Sequence, residues 1–520
     1  MWTQRVREEW EGYLLVGLGL VRYAGVLAGG VTHDEVFYAQ AGLSMFSGYM
    51  YGNPTHMHAP LVKYLIGAGQ VLWGVSAVSI RAPIAAVGVL SVYVTYRVGR
   101  AVFDRWVGVV GGLLLVSLPA YGYYATMAML DVPLAVLVTG AFGTVVWWGR
   151  TQNRWGPTAL GAVTVLMGAT KVQGALYVVG AVVAAAVLWT AAADRRSVAV
   201  HYAAGVTATF AFVYLPFAFS PSPAYYSGAN PPAVVRTLFA VPWLGNVGYA
   251  FAAALVHNLS HLGSGHEVTV LGTTYVDPPA WVFGYWLATR GGVPFLIGAV
   301  GALGALSGRW SDRPVRLAVG TLVVGPMVIH SLLTVKLPRY LVPLYPLLAV
   351  LAGWILVTTA RGAVRRIGSP NPSRLSLAVG LLLVAAAVAP PAFAGTGVET
   401  DVRTDTGAAS VLETTLNSTD GSLTIVTSNP LVFRWYLGEH RVGNFSKQVH
   451  DPKTFRVGQR RVVLVGTQGD RSEVRPSDSC VLVVGSQFVD ANEGSETVRR
   501  TIREGDVIAA ANKYRAYAGC

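Results

Sequence analysis

The sequence predicts a polytopic α-helical membrane protein with about eleven transmembrane helices and a small C-terminal extracytoplasmic α/β domain. Hydrophobic residues make up 53% of the 520 residues and charged residues only 12%, whereas a soluble protein carries about 25% charged residues. Apolar runs of membrane-spanning length recur over most of the chain. Arginines collect in alternate loops between these runs, as they do in membrane proteins whose positive loops face the cytoplasm.

Eleven apolar runs approach or exceed the length that crosses a bilayer, about 20 residues. The stretch 157–192 is divided at Lys171, because a charge at mid-membrane is costly unless it is functional or lies at an interface. The first run lacks a small-residue cleavage site and is therefore expected to stay as a helix. The runs are 12–30, 81–99, 107–124, 132–149, 157–170, 172–192, 198–218, 293–307, 315–333, 341–358 and 375–394.

The distribution of positive charge predicts a cytoplasmic N-terminus and an extracytoplasmic C-terminal domain in the cell membrane. The short outside loops carry only Lys171, Lys336 and Arg339. Residues 1–398 hold 24 basic and 11 acidic residues, whereas residues 399–520 hold 15 of each. The net charge of +13 therefore belongs to the membrane half and indicates no nucleic acid partner. The loops expected inside carry Arg97, Arg100, Arg105, Arg150, Arg154, Arg195, Arg196, Arg309, Arg313, Arg316, Arg361, Arg365, Arg366 and Arg374.

We assign residues 1–395 to a transmembrane domain and residues 396–520 to the extracytoplasmic domain. The transmembrane domain contains two large outside loops, 31–80 and 219–292. In the first loop, Val36–Phe46 is amphipathic and Leu61–Trp73 is expected to lie along the membrane interface.

The tail has the pattern of a small α/β domain. Short β-branched runs predict strands, and two further segments predict helices. No Gly-rich phosphate loop follows any strand, so we expect an accessory domain. Cys480 and Cys520 can pair only if the end of the chain returns to an internal strand, and no sequence pattern indicates this. The strands are Leu423–Thr427, Val462–Gly466 and Val481–Gly485, and the helices are Pro430–Leu437, with Asn429 as its N-cap, and Glu496–Ala511.

The loop 31–80 holds the residues that most suggest chemistry. Asp34 and Glu35 are adjacent, and His56, His58 and Lys63 follow within about 30 residues of them. A partly desolvated carboxylate can abstract a proton, and a nearby lysine can hold an anion. The alternative is that the two acids only cap the following helix, where negative charge favours the helix dipole.

Five segments follow one another along the chain in a characteristic order. They are Asp34-Glu35, His58-Ala59-Pro60-Leu61-Val62-Lys63, Met129-Leu130-Asp131-Val132-Pro133-Leu134, Ala169-Thr170-Lys171-Val172-Gln173-Gly174 and Lys336-Leu337-Pro338-Arg339-Tyr340. Their order resembles that of a known family, the GT-C glycosyltransferases of the protein O-mannosyltransferase and lipid A aminoarabinose transferase type. In that family the first outer loop usually contains His-Pro-Pro-Leu-x-Lys, from which this chain departs at Ala59 while keeping the second proline. The resemblance covers residues 1–395 in order and spacing and is weak over 219–292, and the tail matches only in its general kind of domain.

The resemblance implies transfer of a sugar, with inversion, from a polyprenyl- or dolichyl-phosphate donor to a protein, lipid or glycan hydroxyl at the outer membrane face. It implies Asp34 as the base and Glu35 as its support. The alternative role of the outer lysines and arginine is to snorkel at helix ends. The implied ligands of the donor phosphate are Lys63 and Arg339, then Lys171 and Lys336, and the supporting candidates are His58, Asp131 and Tyr340.

Other interpretations stay open at this point. No cofactor is assigned, and a divalent metal is an alternative without assigned ligands, because His/Asp/Glu sets can bind metals. A membrane transporter is the main rival interpretation. Charged residues at mid-membrane and repeat symmetry are typical of transporters, whereas the charged candidate residues here collect at the outer face and the sequence shows no repeat. A non-catalytic polyprenyl-lipid-binding protein is distinguished only by assay. The histidines in question are His33, His56 and His58, and His257, His261 and His266.

Overall fold

The fold is taken from a computed structural model of the chain. It describes residues 2–24, 27, 30–47, 58–171, 173–219, 247–248, 250–251, 268–307, 312–367, 407–419, 421–440, 452–466, 479–485, 500–501, 506–511 and 514–518, with side chains from Trp10 onward. The chain forms two compact units. The membrane unit contains residues 1–27, 56–62 and 81–395, and the loop–tail unit contains residues 28–55, 63–80 and 396–520. Most of the first large loop therefore folds with the tail.

Helices make up almost all of the described membrane unit. They are α1 (Trp2–Ala24), α4 (Ala77–Val102), α5 (Arg105–Ser117), α6 (Pro119–Ala125), α7 (Asp131–Thr151), α8 (Trp155–Gly168), α9 (Gly174–Ala191), α10 (Arg195–Ala218), α11 (Val282–Trp286), α12 (Gly292–Leu306), α13 (Arg313–Val319), α14 (Gly325–Leu332) and α15 (Tyr345–Ile367). The helices α2 (His33–Phe46) and α3 (Leu61–Trp73) belong to loop 31–80. Single π turns, Leu287–Gly291 and Gly320–Val324, join α11 to α12 and α13 to α14, and a 3₁₀ segment, Pro338–Leu344, leads into α15. A short hairpin of β1 (Val268–Val270) and β2 (Thr273–Tyr275) precedes α11.

The chain is a multi-pass membrane protein. Seven described helical segments are long and apolar enough to cross a bilayer, and an eighth is added if the pair α5 and α6, bent by 72°, forms one span. The predicted number of eleven is not confirmed, since its last run, 375–394, lies outside the described residues. The division at Lys171 is confirmed, because α8 ends at Gly168 and α9 begins at Gly174.

Loops that the charge pattern assigned to one side of the membrane lie together in the membrane unit. Asp104 is the N-cap of α5 and also pairs with Arg361 of α15 at 2.5 Å. Asp312 caps α13 and pairs with Arg150 at the end of α7 at 2.6 Å. Arg150 also donates to the carbonyl oxygen of Val102. We call this region the arginine-rich face, and it carries four of the loops predicted to be cytoplasmic.

The described part of the tail forms a six-stranded mixed sheet with two helices, α16 (Ala408–Ser418) and α17 (Pro430–Tyr436). The sheet order is β4-β5-β3-β6-β8-β7, in which β3 pairs in parallel with β5 and β6. All five residues of β3 are buried, as expected for a central strand covered on both faces. The strands are β3 (Leu423–Thr427), β4 (Lys453–Val457), β5 (Arg460–Gly466), β6 (Ser479–Gly485), β7 (Val507–Ala511) and β8 (Tyr514–Ala518).

Three of the predicted strands are confirmed, but the predicted helix Glu496–Ala511 is wrong over its last part. Val507–Ala511 is strand β7, because it pairs with β8 at the edge of the sheet. A disulfide, which no sequence pattern indicated, is present as well. Cys480 on β6 is disulfide-bonded, and the chain has one other cysteine, Cys520. The antiparallel register of β8, with Tyr517 opposite Leu482, runs toward Cys480.

Candidate active site

The acidic pair lies in the first turn of α2. Thr32 is the N-cap, and its hydroxyl accepts a hydrogen bond from the Glu35 backbone N–H. The Glu35 carboxylate accepts in return from the Thr32 N–H at 2.9 Å, which completes a capping box. Glu35 is fully buried, whereas Asp34 is half-buried. Capping is thus a role of Glu35, and Asp34 is the more accessible of the two carboxylates.

The start of α2 is bound to the tail within the loop–tail unit. The Val31 N–H donates to the Tyr436 hydroxyl at 2.9 Å, and the His33 Nδ1 lies 3.0 Å from the Asn429 side-chain oxygen. One turn further along α2, the Gln40 amide donates to the carbonyl oxygen of Glu439 at 3.2 Å. These three contacts hold the helix that carries Asp34 on both sides of its first turns.

Asn429 occupies the predicted N-cap position of α17, but its side chain does not cap that helix. Its amide nitrogen donates to the hydroxyl of Tyr514 at 2.9 Å. Its oxygen is therefore the acceptor toward His33, which places a proton on the Nδ1 of that imidazole. Asn429 thus connects the sheet of the tail to the acidic end of α2.

Lys63 lies on α3, which crosses α2 at very short distance. A Cβ added to Gly42 would collide with the Lys63 carbonyl oxygen, and one added to Gly67 would collide with the Gly42 backbone. The Gln70 amide donates to the carbonyl oxygen of Ala39 at 2.8 Å and fixes the same crossing. Lys63 itself is fully buried, and this burial holds the pKa of its ammonium well below the usual value.

A second group of predicted residues meets in the membrane unit. The ammonium of Lys171 lies 2.5 Å from a carboxylate oxygen of Asp131, and both side chains are buried, 5% and 1% exposed. The same ammonium lies 5.3 Å from the centre of the Tyr340 ring, in cation–π range. Asp131 begins α7, where its negative charge also favours the helix dipole. This trio combines a buried ion pair with an aromatic ring.

The remaining predicted cations have different surroundings. Lys336 is buried and donates to the carbonyl oxygen of Leu333, at the C-cap of α14. Arg339 is half-buried, in the 3₁₀ segment before α15. The segment with half-buried His58 lies beside the Lys171 loop, because the Leu61 N–H donates to the Ala169 carbonyl oxygen at 2.9 Å. The four cations therefore do not share one kind of environment.

Within the described ranges, no three His, Cys, Asp or Glu residues lie close enough together to hold a metal ion. His56 and the loop histidines His257, His261 and His266 are outside those ranges. The described acids and histidines therefore do not form a metal site.

Sequence reasoning did not single out several polar residues near these groups. Tyr436 binds the residue before the α2 cap. Gln173, Tyr177 and His330 are buried, and Tyr177 and His330 lie within electrostatic range of Asp131 and Lys171 respectively. Gln173 lies inside the segment 169–174 of the family resemblance, and Tyr177 follows it at a spacing of four, which puts both on one helix face. Nothing in the sequence pointed to His330.

Comparisons with known proteins agree on the fold. A family model described as dolichyl-phosphate-mannose-protein mannosyltransferase matches residues 57–219, a segment with His58, Lys63, Asp131 and Lys171 but without Asp34. No curated protein matches the chain.

Solved structures match over much greater lengths. ArnT from Cupriavidus metallidurans in the apo state is 17% identical, with a TM-score of 0.63 over 97% of each chain. The same protein bound to undecaprenyl phosphate is 16% identical, with a TM-score of 0.54 over 97% of each chain. AglB, the archaeal oligosaccharyltransferase from Archaeoglobus fulgidus in complex with an inhibitory peptide and a dolichol-phosphate, is 15% identical, with a TM-score of 0.51. That match covers 85% of this chain and 65% of AglB.

Proposed function

Because this chain has the GT-C fold of membrane glycosyltransferases, we propose that it transfers a sugar from a polyprenyl- or dolichyl-phosphate donor to an acceptor hydroxyl at the outer membrane face. The family description and the lipid phosphates bound to ArnT and AglB support this class of donor. The acceptor is a protein, a lipid or a glycan.

The observation that carries the proposal is the position of Asp34. The capping box and the contacts of Val31 and His33 with the tail fix the turn that holds this half-buried carboxylate. A carboxylate held in one place and partly shielded from water is suited to take a proton from a bound hydroxyl. Glu35 supports that geometry through the cap.

In the proposed reaction the acceptor oxygen attacks the anomeric carbon of the donor sugar, and Asp34 takes the proton of that hydroxyl. A bond forms between this carbon and the acceptor oxygen, while the bond from the carbon to the phosphate oxygen breaks. The lipid phosphate departs with the electron pair of that bond, as a dianion. One displacement at the anomeric carbon inverts its configuration.

The leaving phosphate needs positive charge beside it. Lys63 and Arg339 are the proposed ligands, and Lys336 is a weaker candidate. Burial disfavours the charged form of Lys63 and lowers its pKa, and a phosphate next to the ammonium would favour that form. Lys171 is a weaker candidate than the sequence suggested, because its charge is balanced by Asp131.

We also propose that the arginine-rich face is cytoplasmic and the tail extracytoplasmic. The excess of arginine supports the first assignment. The disulfide at Cys480 supports the second, because disulfides persist in oxidising compartments. A membrane-impermeant maleimide on intact cells should label Ser418→Cys in the tail and not Arg154→Cys. Labelling of Arg154→Cys alone would reverse the orientation.

The transfer reaction is tested with radiolabelled polyprenyl-phosphate hexoses, purified protein in detergent and native membrane extract as acceptor. We expect transfer by the wild type, and loss of transfer with intact donor binding in Asp34→Asn. The matched control is Asp312→Asn, which removes a helix-capping carboxylate at the arginine-rich face and should keep more than half of the activity.

Other outcomes separate the competing functions. Equal transfer by wild type and Asp34→Asn would exclude Asp34 as the base. Donor binding without transfer, for every hexose and acceptor extract, would favour a non-catalytic lipid-binding protein. Failure to bind any lipid-linked sugar would favour a transporter.

A further inference from the structure

Three buried polar side chains of the membrane unit have no hydrogen-bond partner among the described residues. Gln173, Tyr177 and His330 are exposed by only 4%, 0% and 3%. The polar atoms without a hydrogen-bond partner, here called the unmet atoms, are the amide oxygen and nitrogen of Gln173, the hydroxyl of Tyr177 and both ring nitrogens of His330. Buried polar groups are nearly always hydrogen-bonded in native proteins. Five unmet atoms in one region therefore indicate that something else binds there.

Tyr177 and His330 lie near the Asp131–Lys171 ion pair, and Gln173 stands two residues after Lys171 in the chain. Gln173 and Tyr177 lie one turn apart at the start of α9, and Tyr177 is within electrostatic range of the Asp131 carboxylate. His330 is within electrostatic range of Lys171, and its ring centre lies 5.5 Å from that of Tyr340. Tyr340 in turn lies against the Lys171 ammonium. The unmet atoms and the ion pair thus belong to one cluster.

Aromatic rings form part of the same cluster. His330 packs against Phe283 of α11, with ring centres 5.8 Å apart, as well as against Tyr340. A ligand next to His330 therefore finds apolar ring surface together with hydrogen-bonding atoms. This combination is typical of small-molecule sites, where apolar walls carry a few placed polar groups.

The chemistry of the unmet atoms identifies the class of ligand. An amide, a phenol and a neutral imidazole supply both donors and acceptors, and hydroxyl groups need both. The charge of the ion pair at the centre is balanced, so the cluster offers little net attraction to a phosphate. An alkyl chain would leave all five polar atoms unsatisfied. A polyhydroxylated ring satisfies them and can place its C–H face on an aromatic ring.

We propose that Gln173, Tyr177 and His330 form a binding subsite for a monosaccharide ring. The proposal rests on the function proposed above, which supplies two sources of such a ring, the lipid-linked donor and a glycan acceptor. Asp131 and Lys171 hold the subsite in shape, since they fix α7 against the loop before α9.

The test compares two probes on the purified full chain: undecaprenyl phosphate, and undecaprenyl phosphate that carries mannose or glucose. The variants are Gln173→Leu, Tyr177→Phe and His330→Phe. The matched control is Tyr121→Phe, which removes a buried hydroxyl on α6 near Tyr23 rather than near the ion pair. Binding and the thermal transition are measured for each protein.

If the subsite holds the donor sugar, each variant binds the sugar-bearing lipid about tenfold more weakly and the bare lipid phosphate within twofold of wild type. If it holds an acceptor glycan, donor binding is unchanged and the KM for a glycan acceptor rises about tenfold. The control changes neither value.

Two results would overturn the subsite. One is unchanged affinity for both probes and an unchanged acceptor KM in all three variants, which assigns the unmet atoms to buried water. The other is an equal loss of affinity for both probes together with a lower thermal transition, which assigns the three side chains a structural role. Transfer by the wild type with either result would leave the proposed function standing. The opposite combination is also informative. If the wild type transfers no sugar but the variants lose the preference for the sugar-bearing lipid, the subsite stands and the proposed transferase activity is rejected.

Discussion

The imidazole of His33 and the side-chain oxygen of Asn429 lie 3.0 Å apart across a sequence separation of 396 residues. His33 immediately precedes Asp34, and Asn429 begins the first described helix after strand β3 of the tail. Together with the Val31–Tyr436 hydrogen bond, this contact makes the tail a support for the acidic turn. The tail thus has a physical connection to the proposed chemistry, although its described residues contain no candidate catalytic group.

Loosening this support should slow transfer without removing any proposed reacting group. Tyr436→Phe keeps the ring and deletes the acceptor of the Val31 N–H, at a cost of about 1 kcal/mol. We expect kcat to fall by up to roughly fivefold, donor affinity to stay unchanged, and amide exchange of residues 31–40 to quicken. Arg456→Ala, on the exposed face of β4, is the control. Unchanged amide exchange of residues 31–40 in Tyr436→Phe would show that this hydrogen bond does not hold the start of α2.

The glycine crossing of α2 and α3 should tolerate no side chain. Gly42→Ala and Gly67→Ala both place a Cβ against backbone atoms that cannot move independently. We expect each to lower the thermal transition and to reduce transfer strongly. Gly140→Ala on α7 is the control, because its Cβ meets open space and alanine favours a helix by roughly 0.5–1 kcal/mol. Equal stability of Gly42→Ala and Gly140→Ala would show that α2 and α3 do not pack this closely.

Removing one partner of the Asp131–Lys171 pair should cost far more stability than replacing both partners, as is usual for buried ion pairs. Asp131→Asn leaves the Lys171 ammonium without its counter-ion and should destabilise the fold by about 3–5 kcal/mol. The double variant Asp131→Leu with Lys171→Met should recover most of the thermal transition, because no charge is then buried. Transfer should stay impaired in it if the pair shapes the site. A double variant less stable than Asp131→Asn would argue against a closed pair.

Lys63 should show that a buried ammonium costs stability. Its pKa is lower in the folded chain than in the unfolded chain, so the unfolded state holds more protons between the two values and stability rises with pH there. The stability of Lys63→Met lacks this dependence on pH, because methionine does not titrate. Its thermal transition should exceed that of wild type at neutral pH, and the difference should shrink toward about pH 10.

The same variant should bind donor poorly, since it cannot hold the phosphate. Lys453→Met, at an exposed lysine paired with Glu439, should show neither the pH-dependent gain in stability nor the loss of donor binding. A wild type that is more stable than Lys63→Met at every pH would contradict the lowered pKa of Lys63.

The fold was largely predictable because bilayer-length apolar runs and arginine distribution are local signals. The helix boundary at Lys171 followed from the cost of a charge in the membrane, and the strand β3 from its β-branched run. Val507–Ala511 was misassigned because its alanines favour a helix locally, whereas pairing with β8 decides its state. That pairing depends on the tertiary fold.

The site was predictable in part. The position of Asp131 at a helix start and of Asp34 near another follows from neighbouring residues. The ion pair that balances the charge of Lys171 could not be predicted in this way, because its partner Asp131 is 40 residues away in the chain. For the same reason the sequence ranked Lys171 with the phosphate ligands. The role of Tyr436 depends on a contact across 405 residues, which no local pattern encodes.

Strand β8 lies between β6 and β7, although it follows both in the chain. The six-stranded sheet is therefore complete only when residues 514–518 have joined it. Tyr514 of this strand accepts a hydrogen bond from Asn429, which in turn contacts His33. The support of the Asp34 turn thus depends on the strand that takes its place in the sheet last in chain order, and a change that keeps β8 from pairing should loosen a turn near the opposite end of the sequence.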